Sequence, residues 1–340
     1  MKNLNPALFS ALALAFIAVL AIGVHVAVGG TAIALNDVFS TLFGFPPDGR
    51  TALMIYEFRL PRTLAAITAG VGFGVAGALT QNVARNPLAS PDILGVTNGA
   101  SAGAVAAMAA VAQLSWLPAG FGQWGMPVFA VAGGVLVTVI VFAVVWRSNL
   151  ESNRLVLVGI GMSGLCAALT SWMLTLGEVV NAQQALTWMA GTVNGLSWQD
   201  LAIAPLVIAI CAVIAVVLRP QREVLAMDAD TARGLGSEVA RDRLVLLGLA
   251  TIMAVAATVV AGPLAFVALA SGHAARILSR SIVPPVVHSA LLGMIFVLAA
   301  DLLAARTFSV ALPAGVATAV IGAPYLMFLV VQQARTRNIR

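Results

Sequence analysis

The sequence predicts an all-α integral membrane protein with about ten transmembrane helices. Three observations carry this reading. The 340-residue chain is 61% hydrophobic and only 9% charged, where a soluble domain carries about 25% charged residues. Apolar runs of about 20 residues, the length a helix needs to cross a hydrocarbon core of about 30 Å, recur from end to end. The runs are continuous rather than alternating, which argues against a β-barrel and leaves helices, whose backbone satisfies its own hydrogen bonds in lipid.

The first run, near 8–29, follows Lys2. It exceeds the about 7–15 apolar residues of a secretion signal, so it reads as a span and not as a cleaved leader. The second, near 57–82, is entered through EFRLPR, Glu57 to Arg62, and is rich in Gly. The third and fourth lie near 93–113 and 126–146, the fifth and sixth near 154–177 and 201–219. The last four lie near 244–262, 264–278, 285–304 and 313–333. No long polar linker divides them, so residues 1–340 read as one domain. The pairs Gly70/Gly74, Gly95/Gly99 and Gly99/Gly103 put small residues on one helix face, where backbones can approach closely. Cys166 and Cys211 lie inside apolar runs and read as packing residues rather than a disulfide or metal pair.

Charge placement orients the chain. With the N-terminus in the cytoplasm, 14 of the 18 Lys and Arg residues fall on inner segments. Only Arg50, Arg59, Arg62 and Arg306 fall on outer ones. The bias matches the positive-inside rule, and an even number of spans returns the C-terminus to the cytoplasm. The same rule accounts for the net charge of +5 without nucleic acid as a partner.

Four polar islands interrupt the apolar pattern. In LTQNVARNPLASPDILGVTNGASAG, residues 79–103, Asn86-Pro87 and Ser90-Pro91 must break the helix. Two readings fit this segment: an ordinary cytoplasmic turn, or irregular backbone buried in protein or lining a wet cavity. RPQREVLAMDADTARGLGSEVARDR, residues 219–243, suits one or two short helices broken at Gly234 and Gly236. Its scattered apolar residues need cover, which points to a docking surface for a soluble partner rather than a solvated loop. Arg59 and Arg62 either snorkel to the interface or form an electropositive dock. His273 and Asp301 are candidate proton carriers or plain hydrogen-bonded residues.

Some chemistry is missing. No G-x-x-x-x-G-K-S/T phosphate loop occurs. No His, Cys and carboxylate set has metal-ligand spacing, and no nucleophilic triad is visible. The chain therefore reads as no enzyme and as binding no cofactor.

These residues resemble the FecCD-type permeases of ABC importers for iron–siderophores, haem and vitamin B12. The resemblance rests on RLPR (59–62), QNVARNPLASPDILGVTNGA (81–100), DTARGLG (230–236), GPLAFVAL from Gly262, HAAR (273–276), ADLL from Ala300 and LPAGVATAVIGAP (312–324), all in order. VGIGM (158–162), LTSWML and WMAGTVNGLSW look most like the subset importing ferric catecholate siderophores.

The resemblance implies a type II ABC importer permease fold in the bacterial cytoplasmic membrane. Partners would be a second permease subunit, a heterodimer being favoured, two cytoplasmic ATPase subunits holding ATP and Mg, and an extracytoplasmic binding protein. Arg59, Arg62 and Arg306 resemble the docking arginines. Ser152 and Asn153 align with a gate at the inner end of the path. Gln81, Arg85, Asn86, Pro87, Pro91, Gly95 and Asn98 belong to the turn beside the path. Asp230, Arg233, Gly234, Leu235 and Gly236 would couple to the ATPase. The chain departs from the family pattern at Gly272, where Pro is usual, and at Ala311, where Glu is usual. It is also one residue short between Asp301 and Leu312, so Arg306 falls one place from the third docking position.

Overall fold

Helix α4, Leu60–Ala84, runs through the middle of the molecule, and α12 (Val239–Ala261), α13 (Val267–Ser279) and α14 (Val286–Arg306) pack directly on it. The computed structural model describes residues 6–28, 33–113, 121–146, 152–176, 179–306 and 312–337. Each of the ten apolar runs is a helix. They are α1 (Pro6–Ala27), α4, α5 (Val96–Gln113), α6 (Phe121–Val145), α7 (Ser152–Leu176), α9 (Ala204–Val217), α12 (Val239–Ala261), α13 (Val267–Ser279), α14 (Val286–Arg306) and α15 (Ala314–Arg337).

Among the described residues, six helices are individually long and apolar enough to cross a membrane: α1, the stretch Gly49–Ala84, α6, α7, α12 and α14. The others differ for physical reasons. α9 and α13 have 14 and 13 residues, so each rises only about 20 Å. α5 is long enough but diluted by Gly, Ser and Asn, and the apolar part of α15 stops at Leu329. The second span exceeds its apolar run, because α3 (Gly49–Leu53), a π-helical turn (Met54–Arg59) and α4 form 36 continuous residues.

Four smaller helices complete the chain: α2 (Leu35–Leu42), α8 (Val179–Met189), α10 (Arg219–Leu225) and α11 (Ala229–Gly234). α10 turns away from α9 by 60° next to Pro220. Asp228 caps α11 by accepting from the Asp230 and Thr231 amides. The helix stops at Gly234, and Gly236, at φ +86°, reverses the chain toward α12.

Burial separates centre from edge. In the Gly49–Ala84 span 83% of the most apolar window is buried, against 11% in α1 and 22% in α7. Glycines make the centre this dense. A methyl group on Gly74 would overlap the Ser289 carbonyl, and one on Gly293 would overlap Gly70, so α4 and α14 meet backbone to backbone. α5 and α6 meet the same way through Gly99, Gly103 and Gly133. The small-residue faces in the sequence are therefore real contact faces.

Candidate functional site

α4 carries a polar cluster at each end. At its first turn, Arg62 Nε donates to Asp301 Oδ2 at 2.8 Å, and His25 Nε2 lies 2.8 Å from the same oxygen. A carboxylate can only accept, so that ring nitrogen bears the hydrogen. His25 Nδ1 meets the Thr63 hydroxyl at 2.8 Å; with a neutral ring, Thr63 donates to it. Asp301, 1% exposed, thus ties the ends of α1, α4 and α14 together. Arg59 is turned inward at 6% exposure, with Nη1 3.4 Å from the Val26 carbonyl. The charges of both Arg62 and Arg306 bear on it. Arg306 itself is exposed. The three arginines therefore lie near one another, and Arg62 bonds the buried carboxylate.

At the other end α4 stops because Arg85 takes the left-handed conformation, φ 48°, just before Asn86-Pro87. Asn86 Oδ1 accepts from the Leu88 amide at 2.9 Å and tightens the turn. Gly95, at φ +82°, lets the chain re-enter α5, and it lies close against Gly159, Ser163 and Val137. Asn98 Nδ2 donates to Ser163 Oγ at 2.9 Å, and Ser163 Oγ donates to the Asp92 carbonyl at 3.0 Å. The turn 85–95 is therefore fastened to α7. Gln81 Nε2 donates to the Leu269 carbonyl at 3.0 Å, and Gly272 leaves room for its amide: a Cβ there would sit 2.7 Å from Gln81 Oε1.

The match to the FecCD transport family covers residues 14–332. The chain belongs to that family. The FecCD protein is 36% identical over 313 residues to the ferric enterobactin transport system permease protein FepG of Escherichia coli, covering 91% of each chain. It is 34% identical to the achromobactin transport system permease protein CbrC of Dickeya dadantii, over 98% of this chain and 94% of that one. Its fold matches a metal-chelate type ABC transporter in an inward-facing conformation, with TM-score 0.82, 24% identity and coverage of 95% of this chain and 98% of the other.

The residues singled out in this FecCD protein fall into four places. Arg59, Arg62 and Arg306 converge, but Arg59 faces the interior. The turn set divides: Asn86, Pro87, Pro91, Gly95 and Asn98 belong to the turn and the start of α5 that are fastened to α7, whereas Gln81 bonds to α13 and Arg85 to α10. Ser152 opens α7 and Asn153, next to it, is exposed. The turn meets α7 between Gly159 and Ser163, so Asn153 stands six residues, about 9 Å of helix, from the nearer of these contacts. Ala311 lies outside the described residues. In the 219–243 segment Asp230 and Arg233 form an exposed ion pair at 2.8 Å. Met227 and Leu235 are 46% and 61% exposed. A groove of about 320 Å³ is bounded by Val224, Leu235, Gly236 and Arg241.

The sequence reading missed His25. Its signal was only a histidine near the end of an apolar run, and nothing local tells that its partner is 276 residues away. Asp301 is hydrogen-bonded to His25 and ion-paired with Arg62. His273 is buried against the Tyr325 ring, centroids 6.2 Å apart. Among the described residues no group of His, Cys, Asp or Glu has the arrangement of a metal site.

Proposed function

We propose that this FecCD protein is the permease subunit of an ATP-driven importer for an iron–siderophore complex, of catecholate type, in the bacterial cytoplasmic membrane. The similarity to FepG over nine-tenths of both chains carries the proposal. The chain is a multi-pass membrane protein with a transport role. ATP is hydrolysed on a separate subunit, consistent with a sequence that has no phosphate loop.

On this reading both termini and the 219–243 segment face the cytoplasm. Two ATPase subunits grip two permeases, preferably two different ones. Met227 and Leu235 supply the apolar contact, and Asp230, Arg233, Gly234 and Gly236 shape it. The arginine end faces outward and receives a binding protein. Arg62 and Arg306 meet acidic residues there, while inward-facing Arg59 adds charge without contact. Such exposed pairs contribute little affinity, about 0–1 kcal/mol each; they steer and set register. Ser152 and Asn153 narrow the inner mouth of the path.

The test is uptake in proteoliposomes containing this chain, a second permease, the ATPase and the binding protein. Ferric tricatecholate should enter only with ATP, and haem and cobalamin should not compete. Uptake without the ATPase, or uptake abolished by collapsing an ion gradient while ATP remains, would overturn the reading. Preference for haem or cobalamin would reassign the cargo.

A further inference from the structure

The 60° bend at the start of α10 separates the 219–243 segment from α9. Something else must hold it to the bundle, and three polar contacts do. Asn82 Nδ2 donates to the Arg222 carbonyl at 3.1 Å. Arg85 Nε donates to the Leu225 carbonyl at 3.1 Å. Arg222 Nη2 donates to the Pro284 carbonyl. The first two come from the last turn of α4 and its left-handed cap. The third reaches the connection that leads into α14 at Val286.

These contacts all lie on one side of α10. Arg222 and Leu225 are 3% and 1% exposed, while Met227, just beyond, faces outward. The segment therefore has a side fixed to the bundle and a side open to a partner. Among the described residues no carboxylate pairs with the Arg222 side chain. Stability alone gives little reason for a buried guanidinium, which is costly to desolvate. Its Nη2 ties α10 to the connection into α14, a bond that an apolar side chain could not make.

α4 and α14 are also clamped elsewhere. They interlock along Gly70, Gly74 and Gly293. At the other end of α4, about 35 Å along the helix from Arg85, Arg62 binds Asp301 of α14. The pair is thus tied at both ends and along its length, and only the near end is tied to the segment.

We infer that Asn82, Arg85 and Arg222 form a latch that carries displacement of the 219–243 segment into the α4–α14 pair, and so to the arginine end. The inference rests on the importer reading. Motion of α11 passes through residues 226–228 to α10, through the latch to the inner end of α4 and α14, and along that interlocked pair. The three latch residues are positioning residues. They touch neither nucleotide nor cargo.

The test uses the reconstituted importer with Asn82→Leu and, separately, Arg222→Gln and Arg222→Lys. Two quantities are read: ATPase subunit retained on purification, and stimulation of ATP hydrolysis by loaded binding protein. Asn82→Leu and Arg222→Gln should retain the ATPase while stimulation falls roughly fivefold or more. Arg222→Lys, which can still donate to Pro284, should recover part of it. Should a buried variant fail to accumulate, Arg85→Ala, at an exposed position, removes one tie and should give a smaller loss of the same kind. Unchanged stimulation in the variants overturns the latch. Loss of ATPase retention together with stimulation also overturns it, since the contacts would then only shape the dock. Failure of the unaltered chain to retain any ATPase overturns the importer reading instead.

Discussion

Asp301 holds two donors, from Arg62 and His25, on one oxygen. Removing it leaves Arg62 and His25 without their acceptor in a mostly buried place. Asp301→Ala should lower stability by about 3 kcal/mol, the cost of breaking a buried pair by removing one partner, measured by thermal unfolding in detergent. Asp228 shows a different use of a carboxylate. Hydrogen bonds from the Thr231 hydroxyl and amide hold it below the usual carboxylate range. A depressed pKa means the cap is present above the ordinary value and is lost as pH falls through the folded-state value, below 3.8. Amide exchange at Asp230 and Thr231 should therefore keep its protection from pH 7 to 5, and Asp228→Ala should abolish that protection at both. Residue types at the two ends of α4 were legible in the chain: RLPR and NP mark polar clusters. Partners were not. Nothing near Asp301 names His25, because the pairing is made by three helices arriving together.

Helices were the most legible level, since lipid demands about 20 apolar residues of each full span and the runs supplied them. The break at 85–95 was also readable, because Pro cannot donate and disfavours helix before it. α8 and the π-helical turn were not: neither has the length or periodicity that separates a helix from a loop. The glycine pairs predicted contact faces without saying which helix each would meet. Their cost of substitution can be ranked now. Gly74→Ala puts a methyl into the Ser289 carbonyl and should destabilise by about 1–3 kcal/mol. Gly161, on α7, has open space around it, and Gly161→Ala should leave the melting temperature of the isolated chain the same or higher. Equal losses at both positions would contradict the α4–α14 packing described here.

At the scale of the molecule, the apolar surface is uneven. α4 is enclosed, whereas α1 and α7 expose long rows of large side chains, among them Phe9, Phe16, Leu157 and Trp172. Lipid or a second subunit must cover them. The opposite ends carry the polar work, with arginines at one and the 219–243 segment at the other. Arg306→Glu should weaken association with the binding protein up to about fivefold at low salt, and less at high salt because exposed charges are screened. Association that ignores both the substitution and the salt would remove the outer dock. One small contact has a longer reach. The Gln81 amide occupies the place a side chain at 272 would need, and it is fixed there by Leu269. Positions 81 and 272 should therefore covary across related chains: a lineage that gains bulk at 272 has to shorten or swing its residue at 81.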